Sequence, residues 1–536
     1  MAGIGLKLAL AGLIAGGLSA CGRDDAGPET AQPVDANALV VEATIAQLQS
    51  AIKQGGVSCR QVVKASLDRI DAYDQSSGVR AITVVNPKAL TRADEIDAAL
   101  ARGDDVGPLF CAPVLVKDNF DTHDMATTGG SISLLGQLPP DDAFMVRKLR
   151  EAGAIVVAKT NMAEWAFTPR QTISSSYGRT ANAYDVGRVP AGSSGGTASG
   201  VAMSFGVAGL GSDTGNSIRG PSSHLALFGI RSTIGLTSRD GVVPLAFDRD
   251  IAGPMTRTVE DGARMLNVVA GEDPNDPYTA DGAGKKPADY TAFLDKDGLK
   301  GARIGVLRAL SDVEDADPAV IAIFDQAIED LKAAGAEIVD PFEIKELAGH
   351  LAGDYFCPRF RYDMAQYLKT RGADAPIKDV IEVLESGQYG KDDPRVKGAL
   401  EFFRDFPADI HPSQWEKPCP DYFDHEGRQA YKNDVIAAMD AAGIDAIIYP
   451  SWNNPPTLID RANQDYAGDN SQLAAPATGL PAVTVPMGYS YGNLPAGLQI
   501  LGRPYSEGVL IKFAYAYEQA TKHRRPPNGF AALTEE

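Results

Sequence analysis

The sequence predicts an α/β fold with a largely parallel sheet between helical layers, and three repeated units support this prediction. In each unit, apolar residues at helical spacing end at a glycine, and a short apolar strand follows. The units occupy residues 144–158, 317–339 and 435–449. Because parallel strands need a crossover connection, which is usually a helix, this alternation is typical of sheets that are covered on both faces.

The first and third units show the same order of signals. A helix is predicted over residues 144–152, Gly153 ends it, and a strand follows at residues 154–158. In the third unit the helix ends at Gly443 and the strand covers residues 446–449. Glycine is common just past a helix because its backbone readily adopts the left-handed conformation there.

The second unit adds a helix start signal. Asp317 and Pro318 have the residue types preferred at the N-cap and at the first helical position. Polar stretches at residues 271–287 and 371–422 interrupt the pattern, and the first is predicted to be a surface loop. In and just before the second stretch, several aromatic residues are candidates for an apolar substrate pocket: Tyr355, Phe356, Phe360, Tyr362, Phe402, Phe403, Trp415 and Tyr422.

The first 21 residues resemble an export signal. Lys7 supplies a positive charge before the apolar stretch 8–17, which is too short to span a bilayer. Residues 18–21, Leu-Ser-Ala-Cys, resemble the cleavage box of bacterial lipoproteins, in which Cys21 becomes the lipidated N-terminus. The alternative is an ordinary secretory peptide that is cut near Ala20 and leaves the cysteine unmodified.

These signals divide the chain into a signal peptide (residues 1–20), a lipidated cysteine with a flexible tether (residues 21–37) and one folded domain (residues 38–536). Gly22 after the cysteine suggests sorting to the outer membrane, so the expected location is its periplasmic face. The net charge of −20 argues against a nucleic-acid partner and against electrostatic binding to anionic lipid. The membrane would be bound through the acylated Cys21 instead.

Lys117, Ser193 and Ser217 form the strongest functional signal. Lys117 ends an apolar strand, residues 113–117, and burial there favours the neutral amine, which can act as a base. The two serines lie in glycine-rich turns, where a hydroxyl and neighbouring backbone N–H groups can face one carbonyl. The combination predicts acyl transfer without histidine.

The same segments resemble the amidase signature family, whose members hydrolyse carboxamides with a Ser–cisSer–Lys triad. The resemblance lies in the order of the segments and in the 24 positions between the two serines. It implies that Ser217 is the nucleophile, that Ser193 is a bridging serine preceded by a cis peptide, and that Lys117 is the terminal base. The segments that carry it are residues 113–119, 191–196 and 211–219, with opening helices at 45–73 and closing strands at 479–486 and 495–502.

The resemblance also assigns the neighbours of the triad. It implies that the backbone N–H groups of Thr214, Gly215 and Asn216, with that of the nucleophile, form the oxyanion hole. Gly192, Asp213 and Arg219 are expected to support the site structurally.

Two residues depart from the family pattern, because the family usually has glycine where this chain has Ala191 and Asn216. A glycine in the oxyanion loop indicates either a positive φ or a wall close to the substrate. Since asparagine tolerates positive φ, we expect the loop to keep its shape and the asparagine side chain to influence amide preference.

Competing motifs are weaker. Residues 192–196 match the G-x-S-x-G nucleophile elbow around Ser194, but the preceding segment is a poor strand and His523 is the only late candidate for the partner histidine. Residues 50–53 match S-x-x-K on an amphipathic helix without its partner motifs. The six histidines are scattered, so no metal or cofactor is expected.

Several questions remain open from the sequence. The amide could be an aryl, fatty or peptide C-terminal amide or a carbamate, and the oligomeric state is open. A glutaminase subunit of an amidotransferase, an α/β-hydrolase-like esterase and a catalytically silent envelope binding protein are the alternative functions. A disulfide between Cys357 and Cys419 is a hypothesis for an oxidising compartment.

Overall fold

The structure is a computed structural model that describes residues 33–373 and 375–534. The expected signal peptide and Cys21 lie outside the described residues. The backbone N–H of Val34 already donates to Gly56 O at 2.8 Å, and the first helix begins at Ala36. Ordered backbone hydrogen bonding therefore begins a few residues before the predicted start of the folded domain at residue 38.

Most strands of the described residues belong to one sheet. The strands are β1 (Ile82–Val85), β2 (Pro113–Lys117), β3 (Ile155–Thr160), β4 (Thr172–Ser174), β5 (Gly178–Thr180), β6 (Ala208–Asp213), β7 (Phe228–Arg231), β8 (Ile251–Thr256), β9 (Arg303–Val306), β10 (Glu337–Val339), β11 (Ala446–Pro450), β12 (Ala482–Ser490) and β13 (Leu494–Leu501).

The large sheet is mixed, with the order β1-β3-β2-β6-β8-β7-β12-β13-β11-β9-β10, and β4 pairs with β5 in a separate hairpin. Parallel pairing holds together two groups, β3-β2-β6 and β11-β9-β10. Antiparallel pairs join these groups through β8, β7, β12 and β13 and add β1 at one edge. The mixed sheet of an α/β fold is confirmed, and the three helix–glycine–strand units provide β3, β10 and β11.

Helices cover the sheet. They are α1 (Ala36–Leu39), α2 (Ile45–Lys53), α3 (Cys59–Tyr73), α4 (Ala89–Arg102), α5 (Phe144–Glu151), α6 (Gly195–Ala202), α7 (Arg219–His224), α8 (Val259–Val269), α9 (Pro318–Ala333), α10 (Leu347–Ala352), α11 (Phe360–Thr370), α12 (Ile381–Ser386), α13 (Pro394–Phe403), α14 (Glu426–Ala442), α15 (Ala475–Thr478) and α16 (Glu507–Thr521). None of these helices has both the length and the apolar character that crossing a bilayer requires.

The apolar core of the described residues comprises one large cluster and three smaller ones. The large cluster lies between the sheet and helices that include α2, α3, α8, α9 and α16. A smaller cluster joins α11, α12 and α13 to Trp165, whose ring centroid lies 6.0 Å from that of Phe360. This smaller cluster fixes the helical segment formed by α11, α12 and α13 against the turn that follows β3, beside the candidate active site.

Two disulfides are present in the described residues. Cys357 is bonded to Cys419, as hypothesised, and the bridge closes the chain around α11, α12 and α13. Cys59 is bonded to Cys111, which the sequence analysis did not predict. The second pair forms because the start of α3 packs beside the turn that leads into β2.

Candidate active site

Lys117 is the last residue of β2, a strand whose five residues are all buried. Its Nζ donates to Ser193 Oγ at 2.7 Å and to Ser212 Oγ at 2.8 Å. The Ser212 hydroxyl is itself held by Asn119, whose Nδ2 lies 2.9 Å from Ser212 Oγ. The lysine is therefore fixed by neutral hydroxyl partners.

The charge state of Lys117 follows from its surroundings. Burial lowers its pKa to about 7, although the carboxylates of Asp213 and Asp250 act in the opposite direction. On the neighbouring strand Lys159 is equally buried, but its Nζ lies 3.4 Å from Asp118 Oδ1. Lys117 forms no such ion pair with any described carboxylate, so its neutral amine is accessible near neutral pH.

Ser193 lies on a tight turn that approaches other backbone closely. The peptide bond between Gly192 and Ser193 is cis, as the resemblance implied. A Cβ at Gly192 would lie 2.4 Å from Gln171 O and 2.5 Å from Thr168 O, so only glycine fits there. Ala191 has a φ of 63°, in the left-handed region, so this departure from the family pattern keeps the backbone conformation that glycine favours.

Asp213 and Arg219 hold the loop between β6 and α7. Arg219 Nε lies 3.1 Å from Asp213 Oδ2, and Arg231 Nη1 lies 2.9 Å from Oδ1 of the same carboxylate. Burial raises the pKa of Asp213, but these two guanidinium groups outweigh burial and lower it to about 2. Arg219 also donates to Gly215 O at 2.6 Å, so the ion pair fixes the loop from behind.

The front of this loop leaves backbone donors free. Within the described part of the chain, the backbone N–H groups of Thr214, Gly215, Asn216 and Ser217 donate to no acceptor. All four residues line the same cavity. A Cβ at Gly215 would lie 2.0 Å from Gln472 Oε1, so a side chain there would displace the Gln472 amide. Free N–H groups along a cavity wall are what a developing oxyanion requires.

Ser217 and Asn216 are arranged differently from the expectation. Ser217 Oγ lies 3.5 Å from Asn216 Oδ1 and, among the described residues, it makes no hydrogen bond with Ser193. Asn216 is not in the positive-φ region, so that explanation of the family's glycine is wrong for this chain. Its Nδ2 donates to Asp469 Oδ2 at 2.8 Å, and Gly220 leaves room for it, since a Cβ there would lie 2.7 Å from Nδ2.

A cavity of about 710 Å³ opens on the loop. Its apolar side is formed by Phe167 together with Phe356, Phe402 and Phe403, so three of the eight aromatic candidates line it. Phe360 does not line the cavity but packs against Phe403, with the two ring centroids 5.1 Å apart. The remaining aromatic candidates do not line this cavity: Tyr355, Tyr362, Trp415 and Tyr422.

The nucleophile-elbow alternative is wrong. Residues 181–194 contain no strand, which that elbow requires before its serine. The Ser194 hydroxyl is buried and donates to Ser212 O at 3.2 Å. His523, the late candidate for the partner histidine, pairs with Asp330 at 3.2 Å, so it is not available to a serine on this turn.

The sequence analysis missed five residues that shape the site. Ser212 and Asn119 lie next to motif residues, and that adjacency was a usable signal. Asp469 and Gln472 arrive from a loop about 250 positions later in the chain, and only folding brings them to the oxyanion loop. Arg249 lines the cavity and has no motif of its own.

Comparison with known proteins identifies the family. The family model described as Amidase matches residues 61–511. The A subunit of glutamyl-tRNA(Gln) amidotransferase from Carboxydothermus hydrogenoformans is 34% identical over 498 residues, which cover 90% of this chain and 98% of that protein.

Solved structures agree. A peptide amidase in complex with the competitive inhibitor chymostatin has a TM-score of 0.81 at 34% identity, covering 91% of this chain and 99% of that one. Native peptide amidase from Stenotrophomonas maltophilia has a TM-score of 0.79 at 34% identity, covering 90% and 98%. The chain therefore belongs to the amidase family, whose enzymes hydrolyse amide C–N bonds.

Proposed function

We propose that the protein hydrolyses a carboxamide through an acyl-enzyme on Ser217, with Ser193 as the proton relay and Lys117 as the base. One observation carries this proposal. The 2.7 Å contact between Lys117 Nζ and Ser193 Oγ lies beside the loop whose free N–H groups share a cavity with Ser217. A base, a relay, a hydroxyl and an anion-stabilising loop are the parts that acyl transfer needs.

The first step acylates the enzyme. The Ser217 hydroxyl turns from Asn216 toward Ser193, and its oxygen forms a bond with the carbonyl carbon. The Ser217 proton passes to Ser193 while the Ser193 proton passes to the neutral amine of Lys117. The carbonyl oxygen becomes an oxyanion, which the loop N–H groups stabilise.

Breakdown of the tetrahedral species then breaks the C–N bond. The proton on Lys117 returns through Ser193 to the leaving nitrogen, so ammonia or an amine departs and the lysine is neutral again. Water attacks the ester by the same route, its oxygen bonding to the acyl carbon while Ser217 leaves and regains a proton. The products are a carboxylate and the free enzyme.

Covalent labelling with a fluorophosphonate probe tests the nucleophile. We expect wild type to be labelled on Ser217, and Ser217→Ala to be unlabelled and inactive. Ser194→Ala is the matched control and should stay labelled, because the Ser194 hydroxyl donates to Ser212 O and not to either catalytic serine. Labelling that survives in Ser217→Ala would contradict the proposal. A wild type that is unlabelled and hydrolyses no amide would favour the silent binding protein.

The relatives named as the A subunit of an amidotransferase favour a second candidate, the release of ammonia from glutamine. An exported chain would be separated from the cytosolic partners and tRNA of such an enzyme, so we rank this candidate second. Ammonia release from glutamine and from a peptide C-terminal amide, measured side by side, separates the two. Faster turnover of glutamine would reverse the ranking.

We also propose that Cys21 is lipidated and attaches the enzyme to the periplasmic face of the outer membrane. The lipoprotein-like residues 18–21 support this, and so do the disulfides Cys59–Cys111 and Cys357–Cys419, because disulfides persist in oxidising compartments. The Cys21→Ser variant should no longer be found in the detergent-extracted membrane fraction, and its catalytic activity should be retained. Absence of label on wild type after growth with a fatty-acid analogue would contradict lipidation.

A further inference from the structure

The charge of the active-site cavity is positive. Two charged residues line it, Arg249 and Arg395, and no aspartate or glutamate of the described residues does so. The chain as a whole carries a formal net charge of −20. Positive charge in a concave site raises the local concentration of anions. The charge of the cavity lining is therefore opposite in sign to the net charge of the chain.

Arg395 already has its counter-ion. Its Nη2 lies 3.1 Å from Asp393 Oδ2, and it also donates to the Thr168 hydroxyl. The charge of this arginine is therefore compensated inside the protein.

Arg249 has no such counter-ion. Its Nε donates to Thr214 O at 3.0 Å, and it forms no ion pair with any carboxylate of the described residues. The two aspartates beside it in sequence are engaged elsewhere. Asp248 Oδ2 accepts from Arg428 Nη1 at 2.7 Å, and Asp250 accepts from the Thr214 hydroxyl and from backbone N–H groups.

The surroundings of Arg249 are unfavourable to its charge in the free enzyme. Burial lowers the pKa of Arg249 and the nearby cations Arg428 and Arg231 lower it further, to about 9, although the carboxylates of Asp248 and Asp213 act in the opposite direction. The group is still protonated at neutral pH. A cation that is partly desolvated beside other cations is stabilised when an anion binds to it.

The geometry of Arg249 suits a substrate carboxylate. Of the guanidinium nitrogens, Nε is used by Thr214 O, whereas Nη1 and Nη2 donate to no acceptor in the described part of the chain. Two adjacent N–H-bearing nitrogens match the two oxygens of a carboxylate. The Thr214 contact also places this group beside the oxyanion loop, three positions before Ser217.

We propose that Arg249 is a specificity-determining residue, which binds an anionic group of the amide substrate within the active-site cavity. The substrate class is an amide with an apolar body, held by side chains such as Phe356 and Phe402, and a carboxylate near the scissile carbonyl. This inference rests on the amidase function proposed above.

A charge-matched substrate series tests it. The α-amides of N-benzoyl glutamate, norvaline and ornithine differ mainly in the charge at the end of a similar side chain. We expect wild-type kcat/KM for the glutamate amide to exceed that for the norvaline amide by about 10- to 100-fold, the usual effect of a hydrogen bond to a charged group. N-benzoylglycine, measured against N-ethylbenzamide, shows whether the charge belongs on the amine half instead.

Variants locate the preference. Arg249→Gln should lose the preference, so that its kcat/KM values for the glutamate and norvaline amides become similar, and Arg249→Lys should keep part of the preference, because lysine is a point charge without the planar fork. Arg92→Gln removes the same unit of charge from an exposed side chain that pairs with Glu95, far from the cavity lining, and it should change none of the rates.

The outcomes separate this inference from the function on which it rests. A wild type that labels Ser217 and hydrolyses the norvaline amide, but prefers neither anionic substrate, overturns the inference and leaves the amidase mechanism standing. A preference that persists in Arg249→Gln overturns the assignment to Arg249. If Arg249→Gln is inactive on every substrate, Arg249→Glu replaces it and should prefer the ornithine amide; a preference that stays anionic there contradicts the inference.

Discussion

The floor of the active site consists of Lys117, Ser193 and the loop 211–219, at the carboxyl ends of β2 and β6, whereas the wall of the cavity consists of side chains from the helical segment 356–403. On the floor, β2 and β6 pair in parallel, so Lys117 and Asp213 emerge at the same edge. On the wall, Phe402 is 53% exposed, whereas Lys117 is completely buried. Residues of the loop 211–219 and of the wall line the same cavity.

The difference teaches where chemistry and selection are located. The floor has paired charges and buried hydroxyl contacts, and such a network keeps catalytic groups in one geometry. The wall presents apolar side chains that still contact solvent, and these can change without breaking a buried network. We therefore expect floor variants to change turnover and wall variants to change which amide is accepted.

The largest expected effect comes from the two buried lysines. Lys117→Met should lower kcat by about 10²- to 10⁴-fold, because general-base help is lost, and should leave stability nearly unchanged. Lys159→Met is the matched control, because it leaves the buried Asp118 carboxylate without its ion-pair partner. It should lower the free energy of unfolding by about 3–5 kcal/mol. Turnover and chemical denaturation of both variants provide the measurement. A wild-type kcat in Lys117→Met would contradict the role of Lys117 as the general base.

One disulfide closes the wall, and the other joins α3 to the turn before β2. They close loops of similar length, with sequence separations of 52 and 62, so removing either pair should lower the free energy of unfolding by about 2–5 kcal/mol. Replacing Cys357 and Cys419 by serine should also raise KM and expose the wall to proteases, because that bridge closes the helical segment. Replacing Cys59 and Cys111 should leave KM unchanged. A rise of KM in both double variants would contradict the separation.

The pH dependence of kcat/KM tests the charge state of Lys117 on the floor. Below pH 7 Lys117 is protonated and cannot accept the relayed proton, so kcat/KM should rise about tenfold per unit toward a plateau above about 7. Asp469, whose pKa burial raises to about 7, titrates in the same range. Asp469→Asn therefore serves as control, and the rising limb should persist in it. If the rising limb is absent in Asp469→Asn, the titrating group is the Asp469 carboxyl and not Lys117.

The smallest expected effect is on the wall. Phe402→Ala should raise KM for bulky apolar amides by up to about tenfold, because part of one aromatic side chain is lost from the cavity, and should barely change the melting temperature. Phe423→Ala removes a comparably exposed phenylalanine that does not line the cavity and should change neither quantity. If the ratio of KM for small and bulky amides in Phe402→Ala is the same as in wild type, the wall does not select substrates at this position.

The floor was predictable from the sequence because its parts are local. Lys117 ends a short apolar strand, and Ser217 lies on a glycine-rich loop that contacts its own chain a few residues away. Local signals of this kind are present in any sequence window. The structure places both groups at one sheet edge, as expected for strands that pair in parallel.

The wall was not predictable in the same way. Eight aromatic residues were candidates, and only packing separated Phe356, Phe402 and Phe403 from those that are buried elsewhere. Neither the contact of Gln472 with Gly215 nor the missing counter-ion of Arg249 leaves a trace in the sequence, since each depends on which residues arrive from distant parts of the chain.

The sequence by itself determined the alternation of helices and strands, the amidase resemblance and the candidate triad, because periodicity, glycine and short motifs are properties of neighbours along the chain. Only the tertiary structure decided that Lys117 is buried without a counter-ion among the described residues and that Asn216 turns to Asp469 rather than needing a positive φ. Burial and charge pairing depend on contacts between residues that are far apart in sequence, and those contacts exist only when the chain is folded.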